Sequence, residues 1–182
     1  ATIDLCKSLG WSSQNLFYET FGPKGTLGRA HRGEVVLVSQ LRPALAALNP
    51  GLPPAALQQA IDELCRDRSS KTLIAANQEI FKLLLDGVPV KVPRADGQGE
   101  QEPKVRVIDW NNPGNNHFFL AQQFWVQGSL YKCRADLVGF VNGLPLVFLE
   151  LKGVYQNVKK AYDGNLSDYR TAIPQLFWFN AL

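Results

Sequence analysis

A chain of 182 residues, 46% of them hydrophobic, is long enough to bury the core of one ordinary domain without disulfide or metal staples. Its formal net charge of +3 excludes a whole-molecule field that would announce a polyanionic partner, so any nucleic-acid footprint has to be a local patch. Cys6, Cys65 and Cys133 are odd in number and lack CxxC spacing, which points to reduced packing thiols and against a zinc site; with no leader segment and no run approaching roughly 18 to 20 apolar residues, a soluble cytoplasmic protein is expected.

In chain order, Ile3 to Leu9 is a short apolar-periodic stretch ended by Gly10, and Ser12 to Arg32 is a glycine-studded connection of unassigned form. Within it, Gly22 to Gly28 lacks the lysine-hydroxyl pair of a Walker loop, so ATP binding is not expected here. Glu34 to Leu48 has helical spacing that Pro43 should kink or break, and Asn49-Pro50-Gly51 closes it. Pro53-Pro54 opens a helix to about Arg66 with Leu57, Ile61 and Leu64 on one face. Ser69 or Ser70 caps another that runs to Asp86 and stops at Gly87. The part up to about residue 90 is thus mainly helical. Strands are expected at Val88 to Val92 and Val105 to Trp110, around a solvent loop at Asp96-Gly97-Gln98-Gly99, and again at Phe118 to Val126.

Two nearly saturated apolar strands follow, joined by Asn142-Gly143, and they carry Asp136, Glu150 and Lys152. Carboxylates on such strands are costly unless paired or bound to metal. The period-two alternation of a strand puts Glu150 and Lys152 on one face, with Leu151 turned into the opposite layer. Hard cations such as magnesium take oxygen ligands, so Asp136 and Glu150 suit metal binding, and the Lys152 ammonium suits neutralising a phosphoryl group or steering a nucleophile. A surface hairpin with solvated ion pairs would need alternating polar residues, which Val138, Phe140, Val141 and Leu146 to Leu149 do not provide.

The hairpin also sets a geometric condition. A regular two-residue Asn142-Gly143 turn pairs Val141 with Leu144 and places Asp136 opposite Leu149, which turns Glu150 to the other face. One metal could not then bind both carboxylates. A three-residue loop with Gly143 left-handed, or a bulge elsewhere in either strand, restores a shared face, so one of these is expected between Asp136 and Glu150.

The run Phe140 to Lys152, FVNGLPLVFLELK, resembles the PD-(D/E)xK nuclease superfamily, and more closely the nuclease domain of the restriction and translocation subunit of type I restriction-modification enzymes. Similarity extends upstream through Val107 to Pro113, Asn115 to Phe118 and Gln123-Phe124, and downstream through Asn165 to Asn180, so nearly the whole chain is covered. The resemblance implies an α/β, restriction-endonuclease-like mixed central sheet flanked by helices. It implies Asp136 and Glu150 as ligands of magnesium, Lys152 as catalytic, and Asn165 and Tyr169 as a supporting pair on a following helix. Ala135 stands where the family has proline, which removes no ligand, and Asn165 stands for glutamine, which shortens the reach of the amide. The partners implied are double-stranded DNA and separate specificity and methyltransferase subunits. An ATP-driven motor is implied in a longer parent chain; the missing methionine and the apolar run Leu176 to Leu182 fit an expected N-terminal fragment of such a chain.

Other residues keep competing readings. Asn165 and Tyr169, four apart, share one face if the segment is helical, and Tyr169 can approach DNA or pack as a buttress. Lys159, Lys160 and Arg170 are candidates for phosphate contacts, against ordinary helix solvation. Glu79 is expected on a solvated helix face rather than as an accessory acid, His117 is expected to be structural, and Trp110, Phe124, Trp125 and Tyr131 are expected in the core rather than stacked on bases. A stand-alone recombination or repair nuclease with the same site remains an alternative, as does an inactive module that binds DNA or docks subunits.

Overall fold

The computed structural model of the chain describes residues 2–94, 98–151 and 166–180. Its helices are α1 (Thr2–Ser8), α2 (Val38–Leu48), α3 (Pro54–Cys65), α4 (Leu73–Asp86), α5 (Ser167–Ala172) and α6 (Pro174–Phe177). Its strands are β1 (Ser12–Asn15), β2 (Val88–Pro89), β3 (Val92–Pro93), β4 (Glu100–Gln101), β5 (Lys104–Val105), β6 (Phe118–Gln127), β7 (Lys132–Val141) and β8 (Leu144–Leu149).

The central sheet has the order β1-β6-β7-β8, with β1 parallel to β6 and the other neighbours antiparallel. This is a mixed sheet flanked by helices, compatible with a restriction-endonuclease-like fold. The strand β1 was unassigned in the sequence, because Ser-Ser-Gln-Asn has no apolar alternation; only its backbone ladder to β6, from Ser12 opposite Phe119 to Asn15 opposite Gln122, defines it. The expected strands around residues 88–110 form two short ladders of their own, β2 with β5 and β3 with β4. Residues 106–110 are not a strand, and Asp96 and Gly97 lie outside the described residues.

The helices follow the apolar spacing closely. In α3, Leu57, Ile61 and Leu64 are buried, and in α4 Ala76, Ile80 and Leu84. The cap of α4 is Thr72, whose hydroxyl accepts from the Ala75 N–H, rather than Ser69 or Ser70; Ser69 is held instead by Asp67. Helix α2 starts later than its spacing suggests and continues through Pro43, with Leu41 and Leu45 fully buried on either side. Tertiary burial of that face outweighs the loss of one backbone bond.

One place in the sheet changes which side meets the main core. In β6 the core-facing residues are Phe119 and Ala121 before the middle of the strand and Phe124 and Val126 after it; in β7 they are Val138 and Phe140 on one side and Ala135 on the other. The odd-even pattern therefore switches in both strands between the rungs Ala121–Val138 and Phe124–Ala135. At that place Gln123 has φ of 55°, in the left-handed region that side chains with a Cβ avoid. The contact of the Phe124 and Phe140 rings, 5.3 Å between centroids, spans the switch. Asp136 lies on the same rung as Gln123.

Candidate active site

The hairpin turn is Asn142-Gly143 with φ of 52° and 82°, the geometry that lets a two-residue loop follow the twist of its strands. Val141 pairs with Leu144 and Phe140 with Pro145, but Gly139 pairs with Val147, so Leu146 is an extra residue in β8. Beyond this bulge Val138 faces Phe148 and Leu137 faces Leu149, the last paired rung, and that register continued by one residue sets Asp136 opposite Glu150. Residues directly opposite in an antiparallel pair share a face, with Cα atoms roughly 4.5 to 5.5 Å apart in a regular ladder. The expected irregularity is therefore present, in β8 rather than as a three-residue turn. Pro145 marks its position, since a residue without an N–H fits only edge strands and bulges, and β8 is the edge of the sheet.

Asp136 is half-buried and hydrogen-bonded on both oxygens. Its Oδ2 accepts the Leu151 N–H at 2.9 Å, which ties the chain just beyond β8 to β7, and its Oδ1 accepts from Gln123 Nε2 at 3.4 Å. Glu150 is half-buried beside it. Tyr169, on α5, stands over this rung: burial pushes its phenol up to about 12, and the negative charges of Glu150 and Asp136 push the same way. The phenol O–H donates to the Arg134 carbonyl at 3.2 Å, and the ring packs edge-on against Phe148, 5.5 Å between centroids. Tyr169 is thus a buttress that joins α5 to β7 and β8.

The turn end of the hairpin is pinned by buried amides. Asn142 is fully buried, accepts the His117 N–H at 2.8 Å, and donates to the Val107 carbonyl and to Asn116 Oδ1, each at 2.9 Å. Asn116 in turn bonds the Asp109 backbone through both ends of its amide. The Asp109 carboxylate accepts from the Asn115 amide and from the Asn111 and Asn112 N–H groups, and these bonds hold it below the usual carboxylate range. On the other side, a Cβ at Gly143 would sit 2.5 Å from the Leu37 carbonyl oxygen, so only glycine lets the start of α2 approach the turn.

Of the residues singled out in the sequence, Asp136, Glu150 and Tyr169 come together; Arg170 is half-buried on α5. Lys152, Lys159, Lys160 and Asn165 lie outside the described residues. Glu79 is not on a freely solvated face: it is half-buried and binds Arg66, the fully buried Arg68 and Lys71, an ion-pair hub between α3 and α4. His117 exposes its ring and uses its backbone to hold Asn142. Phe124 is core, but Tyr131 and Trp110 are exposed and Trp125 is half-buried. Gln123 was not singled out as a site residue; its signals were the family resemblance at Gln123-Phe124 and a pair of glutamines, Gln122 and Gln123, in the middle of a mainly apolar strand. Cys6, Cys65 and Cys133 are free thiols, and burial together with Asp168 raises that of Cys133. Among the described residues no group of three or more His, Cys, Asp or Glu side chains is placed to hold a metal. Two adjacent carboxylates nevertheless match magnesium, which keeps several waters and takes one or two protein oxygens.

The family model for the N terminus of type I restriction enzyme R proteins matches residues 1–182. The chain is 34% identical over 186 aligned residues to the type I restriction enzyme HindI endonuclease subunit of Haemophilus influenzae, an alignment covering 98% of this chain and 17% of that protein. It is 25% identical over 186 aligned residues to the putative type I restriction enzyme MjaIXP endonuclease subunit of Methanocaldococcus jannaschii, with the same shares covered. The chain thus spans about a sixth of the length of these curated relatives. A match over every residue, on a mixed sheet whose hairpin brings two carboxylates to one rung, makes the chain a member of the type I restriction enzyme R protein N-terminus family.

Proposed function

We propose that this chain is the nuclease part of a type I restriction enzyme R subunit, and that it hydrolyses phosphodiester bonds of double-stranded DNA with magnesium. The observation that carries the reading is the Leu146 bulge, because it turns Glu150 to the face of Asp136. Asp136 and Glu150 would hold the cation. Bound there, magnesium supplies Lewis-acid polarisation of the phosphate and a water of lowered pKa. Asp136 is held in place by the Leu151 N–H and the Gln123 amide, so its free lone pairs stay directed to the site. Lys152, two residues after Glu150 in the sequence, is assigned the ammonium that neutralises charge on the transferring phosphoryl group. Asn165 is proposed to position water or Lys152, and Lys159, Lys160 and Arg170 to contact phosphates.

The relatives are named endonuclease subunits and are far longer than this chain, which supports placing an ATP-driven motor elsewhere in the same polypeptide. Specificity and methyltransferase subunits would be its partners, and the cytoplasm its place of work. Among the described residues no helix is long and apolar enough to cross a membrane.

The test uses the assembled full-length enzyme. Asp136→Ala, Glu150→Ala and Lys152→Ala should each abolish double-strand cleavage while ATP-dependent translocation continues. Cleavage near the wild-type rate in any of them would remove that residue from the mechanism, and in all three would defeat the nuclease reading.

A further inference from the structure

Three cations surround one indole next to the carboxylate rung. The Arg32 and Arg134 guanidinium carbons lie 5.4 Å from the Trp125 ring centroid and Lys132 Nζ lies 5.7 Å from it. No two of these charges can be more than about 11 Å apart, close to the Debye length of about 10 Å at 0.1 M salt, so each feels the others. None has a carboxylate partner among the described residues. Several other arginines are matched by carboxylates, the buried Arg29 by Glu19 and Arg66 and Arg68 by Glu63 and Glu79. The contrast is sharpest at Arg32, whose Nε is buried and has no acceptor among the described residues. A cation over an exposed aromatic face gains only about 0.5 to 1 kcal/mol, too little to explain gathering three like charges on one ring.

The position of the cluster says what would complete it. Trp125 pairs with Arg134 across β6 and β7, and Arg134 is two residues from Asp136 along β7, with Lys132 two further on. At about 3.3 Å per residue these are steps of roughly 6.6 Å along one strand. Arg32 is fixed beside them, since its carbonyl accepts the Gln127 N–H at 3.0 Å. Phe17 and Tyr18 extend the surface with exposed rings, and Arg134 also lies over Phe17 at 5.0 Å. Net charge is only +3, so this local patch, rather than a global field, is where a polyanion would be met.

We propose that Arg32, Lys132 and Arg134, gathered on Trp125, form a phosphate-binding track that lays the DNA backbone along β7 and leads it to the Asp136–Glu150 rung. The proposal rests on the nuclease reading above. A guanidinium stacked on a ring keeps its N–H edges free for phosphate oxygens, and such contacts position a duplex without reading its sequence.

The experiment measures binding of the full-length R chain to a linear duplex across salt, together with cleavage by the assembled enzyme. Lys132→Gln with Arg134→Gln should make the slope of log affinity on log salt shallower by roughly 0.9 for each lost contact, a difference on the order of tenfold between 50 and 200 mM salt. Cleavage should weaken in parallel and return partly in Arg134→Lys. Lys104→Gln, which removes an exposed charge away from the track, should leave the slope unchanged, and the exposed Lys132→Gln alone gives a reading if Arg134→Gln fails to fold. A wild-type slope in Lys132→Gln and in the double variant, with Asp136→Ala inactive in cleavage, would overturn the track alone. An Asp136→Ala enzyme that still cuts would instead overturn the nuclease reading.

Discussion

At the scale of single residues, the site depends on groups that hold the acids as much as on the acids themselves. Tyr169 illustrates this, since its hydroxyl is engaged by the Arg134 carbonyl and its ring by Phe148. Tyr169→Phe should therefore lower stability by about 1 kcal/mol, the worth of one hydrogen bond, and leave most cleavage intact. Thermal melts and cleavage assays on the full chain check this; loss of cleavage with unchanged stability would mean that the phenol acts on substrate. Asn142 carries more, because its amide serves three buried partners. Asn142→Ala should cost about 3 kcal/mol, through the His117 N–H and the Val107 carbonyl left unsatisfied and one bond lost at Asn116. Among these residues, Asp136 and Glu150 were legible from their type and setting alone. The cations around Trp125 were not, because their meeting depends on which residues face one another across β6 and β7, and that register is not written in either strand separately.

At the scale of elements, the hairpin decides whether there is a site. Deleting Leu146 should remove the bulge and leave Asp136 opposite Glu150, whereas inserting one residue between Val147 and Phe148 should place Asp136 opposite Leu149 and turn Glu150 away. Cleavage by the assembled enzyme should vanish in the insertion variant even where circular dichroism shows a folded sheet. A matching insertion between Leu137 and Val138 in the same variant should restore the shared face and recover some cleavage, and a failure to do so in a folded protein would count against the register argument. Helices α3 and α4 were legible because burial on one side imposes a 3.6-residue period on Leu57, Ile61 and Leu64 and on Ala76, Ile80 and Leu84. Strand β1 was hidden because hydrogen bonds to β6, not side-chain burial, define it. The need for an irregularity in the hairpin was readable from the parity of Asp136 and Glu150; its location was signalled only by Pro145, a residue that excludes one backbone bond without saying which neighbour is extruded.

For the whole molecule, distant segments are clasped onto the sheet and its helices by a few amides. Asn77 of α4 donates to the carbonyls of Phe177, Trp178 and Asn180, and Asn180 donates to Pro145 at the bulge. The titrating groups set the pH range of this assembly. Asp109 has a folded pKa lowered from 3.8, chiefly by the Asn115 amide, so its contribution is present above that value and is lost as pH falls through the lowered one. Tyr169 has a folded pKa raised from 10.0 to about 12, so its contribution is present below 10 and is lost between 10 and about 12. Melting temperature should accordingly be flat across neutral pH and fall below about pH 4 and above about pH 10. Tyr169→Phe should flatten the alkaline limb and Asp109→Asn the acid one; limbs unchanged in both variants would assign the titrations to other groups.

The bulge at Leu146 also limits how this stretch of chain can change over generations. Between Asp136 and Glu150, with Leu146 kept extruded, gain or loss of a single residue exchanges the two faces and separates the acids, whereas a matched change in both strands, or loss of Leu146 itself, does not. Lineages that keep the chemistry can therefore change the length of this hairpin in paired steps or by giving up the bulge, and any other single step would leave a folded descendant without its site.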